Sequence, residues 1–140
     1  MTVAAAKNLM RSRPTLIAAV MVARGEADAM LTGIVGRFHK KLGYVRSVLP
    51  LEPKVTSTSA MTGVINQQGV FFFVDTHVQE DPTAEQLCEA TLQAAYRMKL
   101  FGIEPKVALL SHSNFGSHDS KDALKMRQVR ELLLKRNPRL

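Results

Sequence analysis

Ser111, Ser113, Asn114, Gly116 and Ser117 crowd one short stretch, SHSNFGS, directly after the apolar run Val107 to Leu110. Hydroxyls, a carboxamide and the backbone N–H groups that a glycine leaves open suit phosphate or carboxylate oxygens at the opening of a helix. Ser111 and Ser113 also have nucleophile chemistry, but no GxSxG elbow surrounds them and no acid–base partner is fixed by sequence. Against ligand contact by this loop stands plain helix capping by Ser117 or Ser120. Thr32 and Gly33 end the run ADAMLTG in a similar way, and Arg37, Lys40, Lys41 and Arg46 follow within reach of a phosphate bound there. Arg46, set among apolar neighbours, has a guanidinium preorganised for bidentate oxyanion contact, with a snorkelling surface arginine as its alternative. Asp75 and His77 lie two apart at a strand end and point to one face. A metal there would need a third ligand, and His39, His112 and His118 have no ligand spacing. Asp75 reads better as an acceptor for backbone N–H groups in the loop before Pro82.

The elements that must position these residues follow from periodicity. Val3 to Arg11 has helical spacing, and Pro14 can sit in the first turn of a second helix through Val22, with Gly25 as its C-cap. Ala27 to Gly33 reads as a short buried strand, and Arg37 to Leu49 as a helix broken by Pro50 and Pro53. Val55 to Ile65 and Gly69 to Val78, joined by the turn signal Asn66 to Gly69, form a β-hairpin. Asp81 and Thr83 are alternative N-caps for a helix running through Leu87, Ala90, Ala94 and Met98 to Gly102, with Gln86 completing a capping box from Thr83. Val107 to Leu110, with Ser111, cannot keep one face in water, which predicts a central, parallel strand. A last helix from about Ser120 buries Met126, Val129 and Leu133 and turns Lys125, Arg127 and Lys135 to solvent, until Arg136-Asn137-Pro138 stops it. Helices alternating with short buried strands and one inserted hairpin make an α/β layout, here a partial domain because no strand follows the last helix and the first helices need a sheet to lie on.

Composition narrows the function classes. At 140 residues the length is that of one domain. The single cysteine, Cys88, excludes an intrachain disulfide framework and cysteine metal clusters, and suits a reducing compartment, the cytoplasm by default. No apolar run approaches the roughly 20 residues of a membrane span, and the N-terminal TVAAAKNLMRSR lacks the charge order of a signal peptide. The net charge of +7 is uneven: seven basic and two acidic residues follow from Lys121 to the end, while Asp75 to Glu89 carries only acids. The surplus is mostly a solvated helix face. With two tyrosines and no tryptophan the stacking platforms of a nucleic-acid binder are poorly supplied.

RGEADAMLTG (Arg24 to Gly33), FFFVDTHVQEDPTAEQL (Phe71 to Leu87) and FGIEPKVALLSHSNFGS (Phe101 to Ser117), in this order and preceded by PTLIAAVMV, resemble the phosphate acetyl/butyryl transferases. The SHSNFGS and FVDTHV versions are most similar to the domain at the C-terminus of large bacterial NADP-dependent malic enzymes. The resemblance implies a three-layer α/β domain, helices on a mostly parallel sheet with the hairpin inserted, and a cleft for coenzyme A and acetyl phosphate. It implies direct attack of a thiolate on the acyl phosphate carbonyl, helped by a base and by arginines that hold phosphate and the developing oxyanion, with no metal and no tightly bound cofactor.

On the same resemblance Arg46 corresponds to one family arginine. The family's serine–arginine pair, a further arginine and the proposed aspartate base belong to its last third, beyond this chain, so the chain alone is expected to be inactive. Acetyl-CoA, acetyl phosphate or inorganic phosphate are the implied ligands, and a homo-oligomer the implied assembly. The malic-enzyme relatives imply an alternative, a non-catalytic module that senses acetyl-CoA and helps assemble the oligomer while malate is oxidised elsewhere.

Overall fold

Thr2 opens the first helix by accepting a hydrogen bond at Oγ1 from the Ala5 N–H at 3.3 Å, and Pro14 starts the second where a missing N–H costs nothing. In the computed structural model, which describes residues 2–53, 55–114 and 117–140, these are α1 (Val3–Ser12) and α2 (Pro14–Ala23). Gly25, at φ +71°, closes α2 as expected: its N–H bonds the Val22 carbonyl and the Glu26 N–H bonds that of Met21, the paired bonds of a Schellman motif. The third helix, α3 (Phe38–Arg46), ends short of Leu49, whose N–H still bonds the Val45 carbonyl at 2.8 Å in the turn before Pro50. Only α2 of these three has buried residues, at Thr15, Leu16 and Ala19. They belong to one of two compact units, Met1–Lys54; the other is Val55–Leu140.

The second unit holds a hairpin at the expected turn but with shorter strands than Val55 to Ile65 and Gly69 to Val78: β1 (Met61–Asn66) and β2 (Gly69–Val74), antiparallel from Met61 opposite Val74 to Asn66 opposite Gly69. Asn66 Oδ1 accepts from the N–H groups of Gln68 and Gly69, which fixes the turn and with it the register. Helix α4 (Ala84–Leu100) starts at Thr83, the capping box with Gln86 being formed in both directions. Helix α5 (Lys121–Arg136) starts at Ser120, whose Oγ accepts from the Ala123 N–H, so of the two candidate capping serines Ser120 takes the role. The helices pack through Ala84, Cys88, Val129 and Leu133, with Cys88 and Val129 fully buried, and α4 also lies against β2. Burial pushes the Cys88 thiol pKa up.

Three expectations change. Residues 27–33 and 107–110 adopt no regular secondary structure and form no ladder; among the described residues the one sheet is the hairpin. A strand's hydrogen bonds lie outside itself, and with no neighbour alongside, Leu31, Val107 and Leu110 stay exposed. Lys125 does not face solvent: its side chain is only 14% exposed and its ammonium pairs with Asp81. No helix among the described residues is long and apolar enough to cross a membrane.

Candidate functional site

The end of residues 27–33 is held by side chains rather than by a sheet. Thr32 Oγ1 shares a hydrogen bond with Thr15 Oγ1 of α2 at 2.9 Å, and the Gly33 carbonyl accepts from Lys41 Nζ of α3 at 2.8 Å. The Gly33 carbonyl also accepts from the Val35 N–H at 2.8 Å, closing a γ-turn about Ile34 at φ +65°. A positive φ at a β-branched residue is a strained conformation that the surrounding bonds must enforce. Thr32 and Gly33 thereby line a cavity of about 710 Å³ with Arg13, Arg37, Lys40 and Lys41 around it and no carboxylate among its lining residues. Arg46 lies in the last turn of α3, exposed, and does not line this cavity; a cation there meets the negative end of the helix dipole.

The serine loop lies in the other unit. The Ser113 N–H donates to Ser111 Oγ at 3.2 Å, the His118 N–H to Ser113 Oγ at 3.2 Å, and the Ser117 N–H to the Asn114 carbonyl at 3.0 Å. Each serine hydroxyl used as an acceptor keeps its own proton to donate. Ser111, Ser113 and Asn114 line a cavity of about 440 Å³ whose other wall is α5, with Arg127 and Arg130. Arg127 Nη1 also bonds Asp119 Oδ1 at 2.8 Å. Gly116 lies outside the described residues. Hydroxyl and amide donors on one side and two guanidiniums on the other can hold the oxygens of a phosphate or acyl phosphate.

Compared with protein families, residues 1–140 match the family described as Phosphate acetyl/butaryl transferase. The chain belongs to that family. It is 47% identical over 135 residues to the NADP-dependent malic enzyme of Escherichia coli K12, a match covering 96% of this chain and 18% of that protein. It is 36% identical over 121 residues to the phosphate acetyltransferase of Synechocystis, covering 86% of this chain and 17% of that one. The chain thus spans less than a fifth of these relatives' length. Among solved structures the EutD phosphotransacetylase from Staphylococcus aureus superposes with a TM-score of 0.70 at 24% identity, over 89% of this chain and 38% of that one. The α/β phosphotransacetylase-like fold is shared.

In this family member the residues singled out by sequence fall into two groups. Thr32 and Gly33 share one cavity, Ser111, Ser113 and Asn114 another, and Ser117 anchors the far side of the loop. Arg127 and Arg130 were missed as site residues, since a basic helix reads as solvated. Their signal is the stripe Ala123, Met126, Arg127 and Arg130, spaced to lie on one helix face directly after the loop. Asp75 is structural as expected, though its partner is different: Oδ1 accepts from the Ala60 N–H at 3.1 Å, just before β1, rather than from the loop before Pro82. His77 Nδ1 bonds Thr76 Oγ1 at 2.7 Å.

Proposed function

We propose that this chain is the acyl-phosphate- and acetyl-CoA-binding part of a phosphate acetyltransferase-type domain, with Ser111, Ser113, Asn114, Arg127 and Arg130 holding the phosphate oxygens. The observation that carries the reading is the meeting of the serine loop with the two α5 guanidiniums across one cavity. In acyl transfer between phosphate and a thiol, the phosphate is the leaving or entering group, and fixed donors that neutralise it lower the barrier in either direction. Coenzyme A is a substrate or an effector on this reading, never a resident group. Replacing Arg130 by alanine should weaken acetyl phosphate or inorganic phosphate binding by about ten- to a hundredfold if its guanidinium makes a charge-assisted contact. Unchanged affinity by titration calorimetry would remove Arg130 from the site and leave Arg127 alone to supply its charge.

A second reading has its own support. Identity is higher to the malic enzyme than to the phosphate acetyltransferase, 47% against 36%. This favours a module that binds acetyl-CoA to regulate malate oxidation carried out elsewhere. The two separate on one assay with the natural full-length protein: acetyl-CoA formed from acetyl phosphate and coenzyme A supports the transferase, and acetyl-CoA binding without that turnover supports the regulatory module.

A further inference from the structure

We propose that Asp119 is a positioning residue for phosphate binding: its carboxylate holds the Arg127 guanidinium where the serine loop and α5 share their cavity. The inference rests on reading that cavity as the acyl-phosphate site, and it names the group that keeps one of the two arginines in place.

The backbone fixes the carboxylate first. Just before Asp119, the Ser117 N–H donates to the Asn114 carbonyl at 3.0 Å and the His118 N–H to Ser113 Oγ at 3.2 Å, both ties to the loop. Just after it, Ser120 caps α5 by accepting from the Ala123 N–H at 3.3 Å. Asp119 is thus pinned on both sides, to the loop that faces the cavity and to the helix that carries the arginine. Side chains of a helix lean toward its N-terminus, so Arg127, about two turns into α5, reaches back to the loop. Its Nη1 meets Asp119 Oδ1 there at 2.8 Å.

Exposure and place decide what the pair does. The side chains of Asp119 and Arg127 are 76% and 46% exposed, and an ion pair in that setting adds little to folding. Arg127 lines the cavity and Asp119 does not, so the carboxylate acts on a phosphate only through the arginine and through its own charge. These two actions oppose each other. A guanidinium already held has given up part of its rotamer freedom before the ligand arrives, which favours binding, while a nearby negative charge repels the anion. Water and salt screen the repulsion, whereas the hold is a direct charge-assisted contact, so positioning is the larger action.

Calorimetric titration of the 140-residue chain with inorganic phosphate provides the test. Asp119→Ala should weaken phosphate binding about threefold, the scale of an exposed ion pair, and leave the chemical unfolding midpoint unchanged. Asp119→Asn keeps a carbonyl acceptor for Arg127 Nη1 without the charge, and should bind phosphate at least as tightly as the wild-type chain. In an Arg127→Ala background Asp119→Ala should no longer weaken binding, because no guanidinium remains to be held, whereas in an Arg130→Ala background its effect should persist. The proposal is overturned if Asp119→Ala binds phosphate as tightly as the wild type or tighter, which would make the carboxylate a competing charge only. It is equally overturned if Asp119→Asn fails to restore affinity, or if the loss survives removal of Arg127. Unchanged phosphate affinity in both Arg127→Ala and Arg130→Ala would bring down the acyl-phosphate reading itself; losses at both arginines with none at Asp119 would remove the positioning role alone.

Discussion

Within the second unit, the helix pair α4–α5 and residues 106–110 are both rich in apolar side chains, yet the helices bury theirs while of the segment only Leu109 packs against the core. The helices make their own backbone hydrogen bonds, are capped by Thr83 and Ser120, and bury Cys88 and Val129 completely. Residues 106–110 have no ladder, and Leu110, four residues before Asn114, is 72% exposed. Apolar content alone therefore does not bury a segment; the segment must also have its backbone satisfied there. The candidate site sits where the two regimes meet. Its serines follow residues 106–110, are held by bonds inside the loop, and share a cavity with the neighbouring face of α5.

The contrast breaks most visibly on truncation of one leucine from each side. Leu133→Ala removes a side chain that is 7% exposed in the helix core and should destabilise the chain by about 2 to 5 kcal/mol, transfer and cavity terms together. Leu110→Ala should change stability by no more than about 0.5 kcal/mol, as for other exposed positions. Chemical unfolding of the two variants measures both. Comparable losses would mean that residues 106–110 are packed as tightly as the helices. A smaller effect tests local closure: Thr83→Ala removes the acceptor for the Gln86 N–H at 3.2 Å and should cost about 1 kcal/mol, with the early turns of α4 losing amide exchange protection first.

What was legible in the sequence follows the same division. The capping box at Thr83 and Gln86, the Pro14 start, the Gly25 stop and the Asn66 to Gly69 turn are contacts between residues a few positions apart, so the local pattern contains the whole interaction. All of them are formed. The buried strands over 27–33 and 107–110 require partners that no local pattern specifies, and there the apolar runs misled. The candidate site was half legible for a related reason. Hydroxyls and amides clustered in SHSNFGS stand out by type, while Arg127 and Arg130 look like any exposed helix face until the loop is folded back beside them. Lys125 was misread because its partner, Asp81, is 44 residues away in sequence.

That same aspartate gives the smallest of the expected effects and the sharpest in its pH dependence. Asp81 accepts from Lys121 Nζ at 2.8 Å and from Lys125 Nζ, strapping the start of α5 to the segment before α4. These two hydrogen bonds, with the charges behind them, lower its carboxyl from the ordinary 3.8 to about 2. A carboxyl with a depressed folded-state pKa contributes its stabilisation in full above the unfolded value, and loses it as the pH falls through the folded one. Unfolding midpoints measured from neutral pH into acid should therefore have a component that disappears between about pH 4 and pH 2. Asp81→Asn should abolish that component and change stability at neutral pH least of the three substitutions that touch the helix pair, since both lysine contacts lie on an exposed carboxylate that water and salt screen. An acid profile identical in the wild-type chain and Asp81→Asn would show that the strap does not hold in solution. The helix pair would then rest on its apolar contacts and caps alone.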